Sequence, residues 1–202
     1  MRTRPRLVDP AKLTRSRPNE GGQANINAAH GASLWKTYIQ PLASQGYRLI
    51  SPAPTNAPSG EVWLKDFIAA CNGCTIDGIA THFYGTDAEH LINHINRYHQ
   101  VFNKPIWLTE FACQNFSGGA QCSTDQIWAF MKRTTQYMDG QDWVAYYSWF
   151  GMYSRPRIVD IFLTLWLGSL LDMGNVNWNN QLVNPDSTPN ALGRRYLGLD
   201  GW

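Results

Sequence analysis

Several familiar signatures are absent from this chain, and each absence closes a class of function. No Gly-x-Gly-x-x-Gly follows a candidate strand, so no turn is built to hold a dinucleotide pyrophosphate at a helix start. There is no His-Glu-x-x-His: His90 and His94 stand at i, i+4 with Ile92 and Asn93 in the gap, which reads as a solvated helix face. No metal and no cofactor are expected. The longest apolar stretch, Ile158 to Leu171, is only 14 residues and encloses Asp160, too short to span a bilayer. The opening MRTRPRLVDPAKLTRSRP has no apolar h-region, so no signal peptide is read in this chain.

Charge of one sign is scarce as well. Against 15 Asp+Glu there are 17 Lys+Arg, a formal net charge of +2. The excess sits at the front: Arg2, Arg4, Arg6, Lys12, Arg15 and Arg17 face only Asp9 in the first 17 residues. The remainder of the chain is slightly acidic, which argues against a nucleic-acid-binding face and for a solvated basic tail over 1–17.

Aromatics are abundant: 9 Trp, 9 Tyr and 8 Phe in 202 residues. Rings on this scale suit a packed core, and equally a sugar cleft in which ring faces stack on pyranose C–H faces. The four cysteines, Cys71, Cys74, Cys113 and Cys122, form an even set suited to two disulfides and an oxidising compartment. Three pairings are open. Cys71-Asn-Gly-Cys74 closes a helix instead of opening one, so the dipole that activates a redox thiol is missing. A structural pairing of 71 with 74 and of 113 with 122, across a Gly-rich loop, is favoured.

From about residue 31 helix-like and strand-like segments alternate. Leu34, Trp35, Tyr38, Ile39 and Leu42 recur at helical spacing; 47–53 reads as a buried strand, 61–71 as a helix, 75–85 as a strand and 86–102 as an amphipathic helix striped by Leu91, Ile95, Tyr98 and Phe102. Then come a strand over 104–113, a helix over 123–140 with Ser123 as N-cap, and a strand over 142–151. Strands separated by helices at this spacing indicate βαβ units and a parallel sheet. Their ends, SPAPTN, THFYG, LTEFAC and YSWFG, gather polar and aromatic groups, the barrel arrangement rather than the dinucleotide-binding one.

One strand poses a chemical question. In KPIWLTEFAC, Glu110 is flanked by apolar and aromatic residues, and a carboxylate so placed costs free energy unless it is paired, hydrogen-bonded or used. The bland answer is an ion pair with a lysine or arginine; the functional answer is a catalytic carboxylate.

The stretches NEGGQANI (19–26), SPAPTN (51–56), CNGCTIDGIATHFYG (71–85), KPIWLTEFAC (104–113), AYYSWFG (145–151) and DMGNVN (172–177) together resemble the catalytic core of glycoside hydrolase family 128, the fungal endo-β-1,3-glucanases and related cell-wall proteins. The resemblance covers roughly 18–151 and 172–198 and implies an α/β fold, a (β/α)8 barrel of which this chain holds roughly the second half. It implies retaining hydrolysis of fungal cell-wall β-1,3-glucan, with Glu110 as nucleophile and a second carboxyl as acid/base, the two roughly 5–5.5 Å apart. His82, Tyr84, Asn56 and Trp149 would bind substrate, with core packing as the plain alternative for Tyr84 and Trp149. The partner would be β-1,3-glucan polysaccharide or oligosaccharide, met outside the cell or in its wall by a monomer without a membrane span or nucleic acid.

At one place the sequence departs from the family. The acid/base belongs to an Asn-Glu-Pro motif at the end of the fourth strand, and Ser16-Arg17-Pro18 stands there. Arginine does not give up its proton, and Glu20, three residues on, is a weak substitute as acid/base. The expectations are therefore a non-family, disordered basic tail over 1–17, a partial catalytic core over 18–202 and an apolar insert at about 155–169 resembling a translated intron. Activity should be weak or absent, the alternatives being a non-catalytic glucan-binding or wall-associated protein, or a truncated product without activity.

Overall fold

The computed structural model describes residues 7–8, 17–151 and 176–202; the 155–169 insert, Ser16 and most of the basic tail lie outside the described residues. Five strands and five α-helices are described in the order β1 (Leu7–Val8), α1 (Ala28–Leu34), β2 (Arg48–Leu49), α2 (Pro58–Ala70), β3 (Ile79–Gly85), α3 (Ala88–Phe102), β4 (Ile106–Cys113), α4 (Thr124–Asp139), β5 (Val144–Trp149) and α5 (Ala191–Tyr196).

The strands β3, β4 and β5 form one sheet in that order. Their starts pair through Ile79 N to Pro105 O (2.9 Å) and Ile106 N to Trp143 O (2.8 Å), their ends through Gln114 N to Gly85 O (3.2 Å) and Phe150 N to Phe111 O (2.8 Å). Start pairs with start and end with end, so the sheet is parallel, as the alternation of helices and strands predicts. Ile50 continues it as a parallel bridge to Gly78.

Two local expectations are corrected. The strand read over 47–53 narrows to Arg48–Leu49, whose backbone pairs in parallel with Leu7–Val8, inside a segment in which no strand was expected. A two-residue ladder leaves almost no periodic signal, yet the backbone groups of a buried strand need partners. The helix read from Leu34 starts earlier, at Ala28, where the Asn27 side chain accepts from His30 N. It then widens into a π turn over Trp35–Ile39 and tightens into a 3₁₀ turn over Gln40–Gln45, which Gly46 ends in the left-handed region at φ 83°. At α4 the reading holds: Ser123 is the N-cap, and a full capping box forms with Gln126.

The described chain divides into two compact units. The first comprises the described parts of Met1–Phe83 with Asn93–Glu110 and Asp142–Tyr147; the second comprises Tyr84–Ile92, Phe111–Gln141 and the described parts of Ser148–Trp202. In the first unit α1 lies on α2 through Trp35, Trp63 and Phe67. Trp35 meets Phe67 edge-on at 5.6 Å, Trp63 stacks on Phe67 at 5.4 Å, and the Trp63 indole donates to Ile26 O at 2.7 Å. Across the unit Arg97 of α3 forks onto Glu61 of α2 at 2.9 Å by both nitrogens, and Lys65 joins at 2.7 Å. Arg97 first, and Lys65 after it, hold the Glu61 carboxyl down to about 2 against burial, which pushes it up.

In the second unit Phe111 and Trp149 meet edge-on at 5.0 Å, with Phe130 of α4 6.1 Å from the same indole. The Asn180 side chain serves the end of β4 as a peptide would: its Oδ1 accepts from Cys113 N at 3.2 Å and its Nδ2 donates to Cys113 O at 3.1 Å. The disulfides are Cys71–Cys74 and Cys113–Cys122, with Cα separations of 5.4 and 6.1 Å, the favoured pairing.

Phe67 is fully buried between two tryptophans. Phe67→Ala should therefore cost about 3–5 kcal/mol in urea unfolding; a loss under ~1 kcal/mol would show that this aromatic layer does not hold α1 to α2.

Candidate active site

Glu110 sits fifth in β4, after Ile106 and Leu108, which are fully buried. His82 sits fourth in β3, itself 2% exposed. On neighbouring parallel strands the two side chains come together: His82 Nδ1 stands 3.2 Å from Glu110 Oε2. The strand packing that buries His82 thus also aims it at the carboxylate.

The third member arrives from the segment that begins at residue 17. The loop after β2, Ser51–Asn56, runs beside β3: Ser51 N donates to Gly78 O (3.0 Å), Ala80 N to Ser51 Oγ (2.9 Å) and His82 N to Pro54 O (3.0 Å). Residues 17–26 are laid against this loop. Arg17 N donates to Ala53 O (3.1 Å), Asn19 Oδ1 accepts from Thr55 N (3.0 Å), and Asn19 Nδ2 donates to Thr55 Oγ1 (2.8 Å) and Ser59 Oγ (3.1 Å). Gly60 lets the loop approach, because a Cβ there would collide with Thr55 O.

Clamped in this way, with its own φ at 58°, Arg17 donates from Nη2 to Glu110 Oε2 at 3.3 Å. Glu110 Oε2 thus lies 3.3 Å from the guanidinium Nη2 and 3.2 Å from the imidazole Nδ1. The opening question has a physical answer: the charge on this apolar strand is compensated by a cation that cannot be neutralised at ordinary pH. Chemically, the trio can hold a carboxylate in a fixed orientation. Arg17 has no proton to give a leaving group.

A second polar group lies one residue earlier on β3. Thr81 Oγ1 is 2.8 Å from His94 Nε2 on α3, whose ring packs against Phe83 (5.8 Å) and Tyr98 (4.3 Å). Burial pulls the His94 imidazole down to about 4, with Glu61 opposing weakly, and pushes the Tyr98 phenol up. His90 is exposed, 3.8 Å from Asp87, and His99 stacks on Trp143 at 4.5 Å with Nδ1 3.0 Å from Lys104 O. The three imidazoles of α3 therefore serve three different neighbourhoods.

The remaining sequence-derived candidates are Asn56, Glu20, Tyr84 and Trp149. Asn56 is half-buried at the end of the clamped loop. Glu20 is exposed, its amide donating to Arg17 O at 3.0 Å, and its carboxylate makes no hydrogen bond or ion pair among the described residues. In the second unit Tyr84 is half-buried, 5.2 Å from Phe116 and 6.0 Å from Phe150. Trp149, read as the floor of a sugar subsite, is 2% exposed and donates from Nε1 to Asn180 O at 2.8 Å. The structure places it in the core. Asn19 and Thr55 lie in two of the stretches that carry the family resemblance, NEGGQANI and SPAPTN, but nothing in the sequence pairs them.

A family model described as "Glycosyl hydrolase catalytic core" matches residues 11–196. Alkali-sensitive linkage protein 1 of Schizosaccharomyces pombe is 42% identical over 127 residues, covering 62% of this chain and 23% of that protein. The chain thus spans about a quarter of the length of this curated relative. A family 128, subgroup II endo-β-1,3-glucanase from Sorangium cellulosum is similar at 30% identity and a TM-score of 0.71, over 92% of this chain and 68% of that one. A subgroup I endo-β-1,3-glucanase from Amycolatopsis mediterranei, solved with laminaritriose, is 27% identical with a TM-score of 0.67, over 92% and 70% of the two chains.

His94 makes stability pH-dependent with a defined sign. Its folded value, about 4, lies below its ordinary 6.5, so on acidification the unfolded chain takes up the proton first. The contribution is fully present above pH 6.5 and lost as pH falls from there through 4, roughly 3 kcal/mol in all. Glu61, held at about 2, loses its own contribution only as pH falls from 4.5 through 2. Urea unfolding at pH 7.5 and 4.5 should show a smaller difference for His94→Gln than for the unmodified chain; equal differences would refute the assignment.

Proposed function

Because the chain belongs to the glycosyl hydrolase catalytic core family, we propose that it is a β-1,3-glucan-directed member in which Glu110 keeps the nucleophile position and Arg17 has replaced the acid/base. It engages glucan with little or no turnover. The observation that carries this reading is the 3.3 Å contact of Arg17 with Glu110. The strand-and-helix steps from residue 47 onward are read as the second half of a (β/α)8 barrel, and the setting as extracellular or cell-wall.

Retaining glycosidases need a carboxylic acid opposite the nucleophile, with the two groups roughly 5–5.5 Å apart. Arginine at position 17 reaches to within 3.3 Å of Glu110. A glutamate on the same backbone is two bonds shorter, so its oxygen would stop roughly 2 Å further back, close to the separation that a retaining pair uses. That separation supports reading position 17 as the place of the acid, filled here by a residue that cannot act as one. Arg17 also holds the nucleophile's charge in an ion pair, which weakens its attack on an anomeric carbon. In this scheme His82 orients Glu110, and Asn19 and Thr55 fix the segment that carries position 17. Asn56 and Tyr84 meet sugar hydroxyls or ring faces, while Trp149 supports the strand from behind. Glu20 is the weak stand-in acid.

Non-catalytic glucan binding is favoured over turnover by the same contact. A glucoside leaves poorly without protonation, and general acid help is typically worth 10²–10⁴-fold. Arg17→Glu should restore it, because two neighbouring carboxylates push one pKa upward, as an acid at neutral pH requires. Reducing-sugar release from laminarin should therefore rise by roughly 10²-fold or more in Arg17→Glu and vanish again in Arg17→Glu/Glu110→Gln. Robust, Glu110-dependent release by the unmodified chain would overturn the reading, and Glu20→Gln would then show whether Glu20 is the acid.

A further inference from the structure

We propose that Phe116, backed by Tyr84, is a sugar-stacking platform presented by the disulfide-closed loop between Cys113 and Cys122, and that it takes a neutral pyranose ring of a β-1,3-glucan. The proposal rests on the glucan reading above and adds a binding residue that lies in none of the motifs carrying the family resemblance.

Single exposed apolar residues are ordinary, so exposure of Phe116 at 50% is only a starting point. The loop beneath it is what sets it apart. Cys113 and Cys122 close it covalently. Inside, Asn115 N donates to Gln121 Oε1 (3.0 Å), Gln121 Nε2 returns to Asn115 O (2.6 Å), Gln114 Nε2 reaches the same carbonyl (3.0 Å) and Ser117 N donates to Asn115 Oδ1 (2.7 Å). Gly118 turns the chain at φ 84°. A Cβ on Gly119 would press on the Asn115 amide at 2.6 Å. Each device fixes backbone around an aromatic side chain that is itself left half open. Ordering a loop in advance lowers the entropy cost of binding.

Phe116 is also not alone. Its ring stands 5.2 Å from that of Tyr84, inclined at 59°, and Tyr84 is supported from behind by Phe150 at 6.0 Å and 74°. Two rings held at an angle form a corner, with the Tyr84 phenol supplying a polar tip.

The chemistry of the surroundings selects the occupant. Residues 114–121, Gln-Asn-Phe-Ser-Gly-Gly-Ala-Gln, hold no charged side chain. An anionic lipid, a phosphorylated ligand or a charged peptide would find no counter-charge on this loop. An uncharged ring with an apolar C–H face and hydroxyl edges matches an aromatic platform rimmed by amides and a serine.

The test is isothermal titration of the full chain with laminaripentaose, using the unmodified protein, Phe116→Ala and Phe116→Trp, each checked for folding by near-UV circular dichroism. Phe116→Ala should raise Kd roughly tenfold, the loss typical of an aromatic hot spot. Phe116→Trp should retain binding, with indole emission that changes on addition of sugar. Equal affinity of the unmodified chain and Phe116→Ala would overturn the platform while leaving the glucan reading intact. A folded, unmodified chain that binds no laminaripentaose would overturn both.

Discussion

A negative charge on an apolar strand must be answered by something, and in the first unit Arg17 answers Glu110, with His82 beside it. His82 is buried and reaches Glu110 Oε2 from the adjacent strand, and Arg17 reaches it from a segment 93 residues away in the chain. That reach is what the surrounding polar contacts provide for: the Asn19–Thr55 exchange, the Ala53 carbonyl that takes Arg17 N, and the close approach that Gly60 permits. Without them a long, mobile arginine would lose side-chain entropy to gain a single partly solvated ion pair, which is worth little. With its backbone already fixed, much of that cost falls on folding as a whole.

On the reading proposed above, the same pair separates two properties that a working glycosidase keeps together. Orientation of the nucleophile needs donors around it; turnover needs a proton delivered on the other side of the scissile bond. Arg17 supplies the first and is unable to supply the second. In the proposed reading a family fold persists around a site whose chemistry at one position has changed, as is usual where function resides in a few side chains on a tolerant scaffold.

Legibility in the sequence followed the length of the periodic signal. The helix α3, with Leu91, Ile95 and Tyr98 buried, and α4, with its Ser123 capping box, announce themselves because their patterns run for several turns. The strands β3 to β5 were visible for the same reason. The Leu7–Val8 strand and the π turn at Trp35–Ile39 were not, since two residues have no period and a π turn differs from an α turn only in which carbonyl each N–H finds. At the site, Glu110 stood out as a carboxylate in apolar company, and Arg17 as a residue of the wrong chemistry in a motif. Their contact was present in the sequence only as the bland alternative for Glu110. The Asn19 clamp was silent because a hydrogen bond between two loops leaves no spacing to read. Trp149 was ambiguous in a different way: an aromatic at a strand end reads alike whether it faces a ligand or Phe111.

The amide of Asn180 carries a liability of chemical ageing. It stands in for a backbone peptide, giving Cys113 both an acceptor and a donor while fully buried. Deamidation exchanges that NH₂ for an oxygen, a change of almost no volume, and sets a carboxylate against the Cys113 carbonyl where a donor had been. The loss is then a repulsion and an unsolvated charge together, at the very cysteine that closes the disulfide loop. Time, with no mutation at all, can therefore undo the end of this strand.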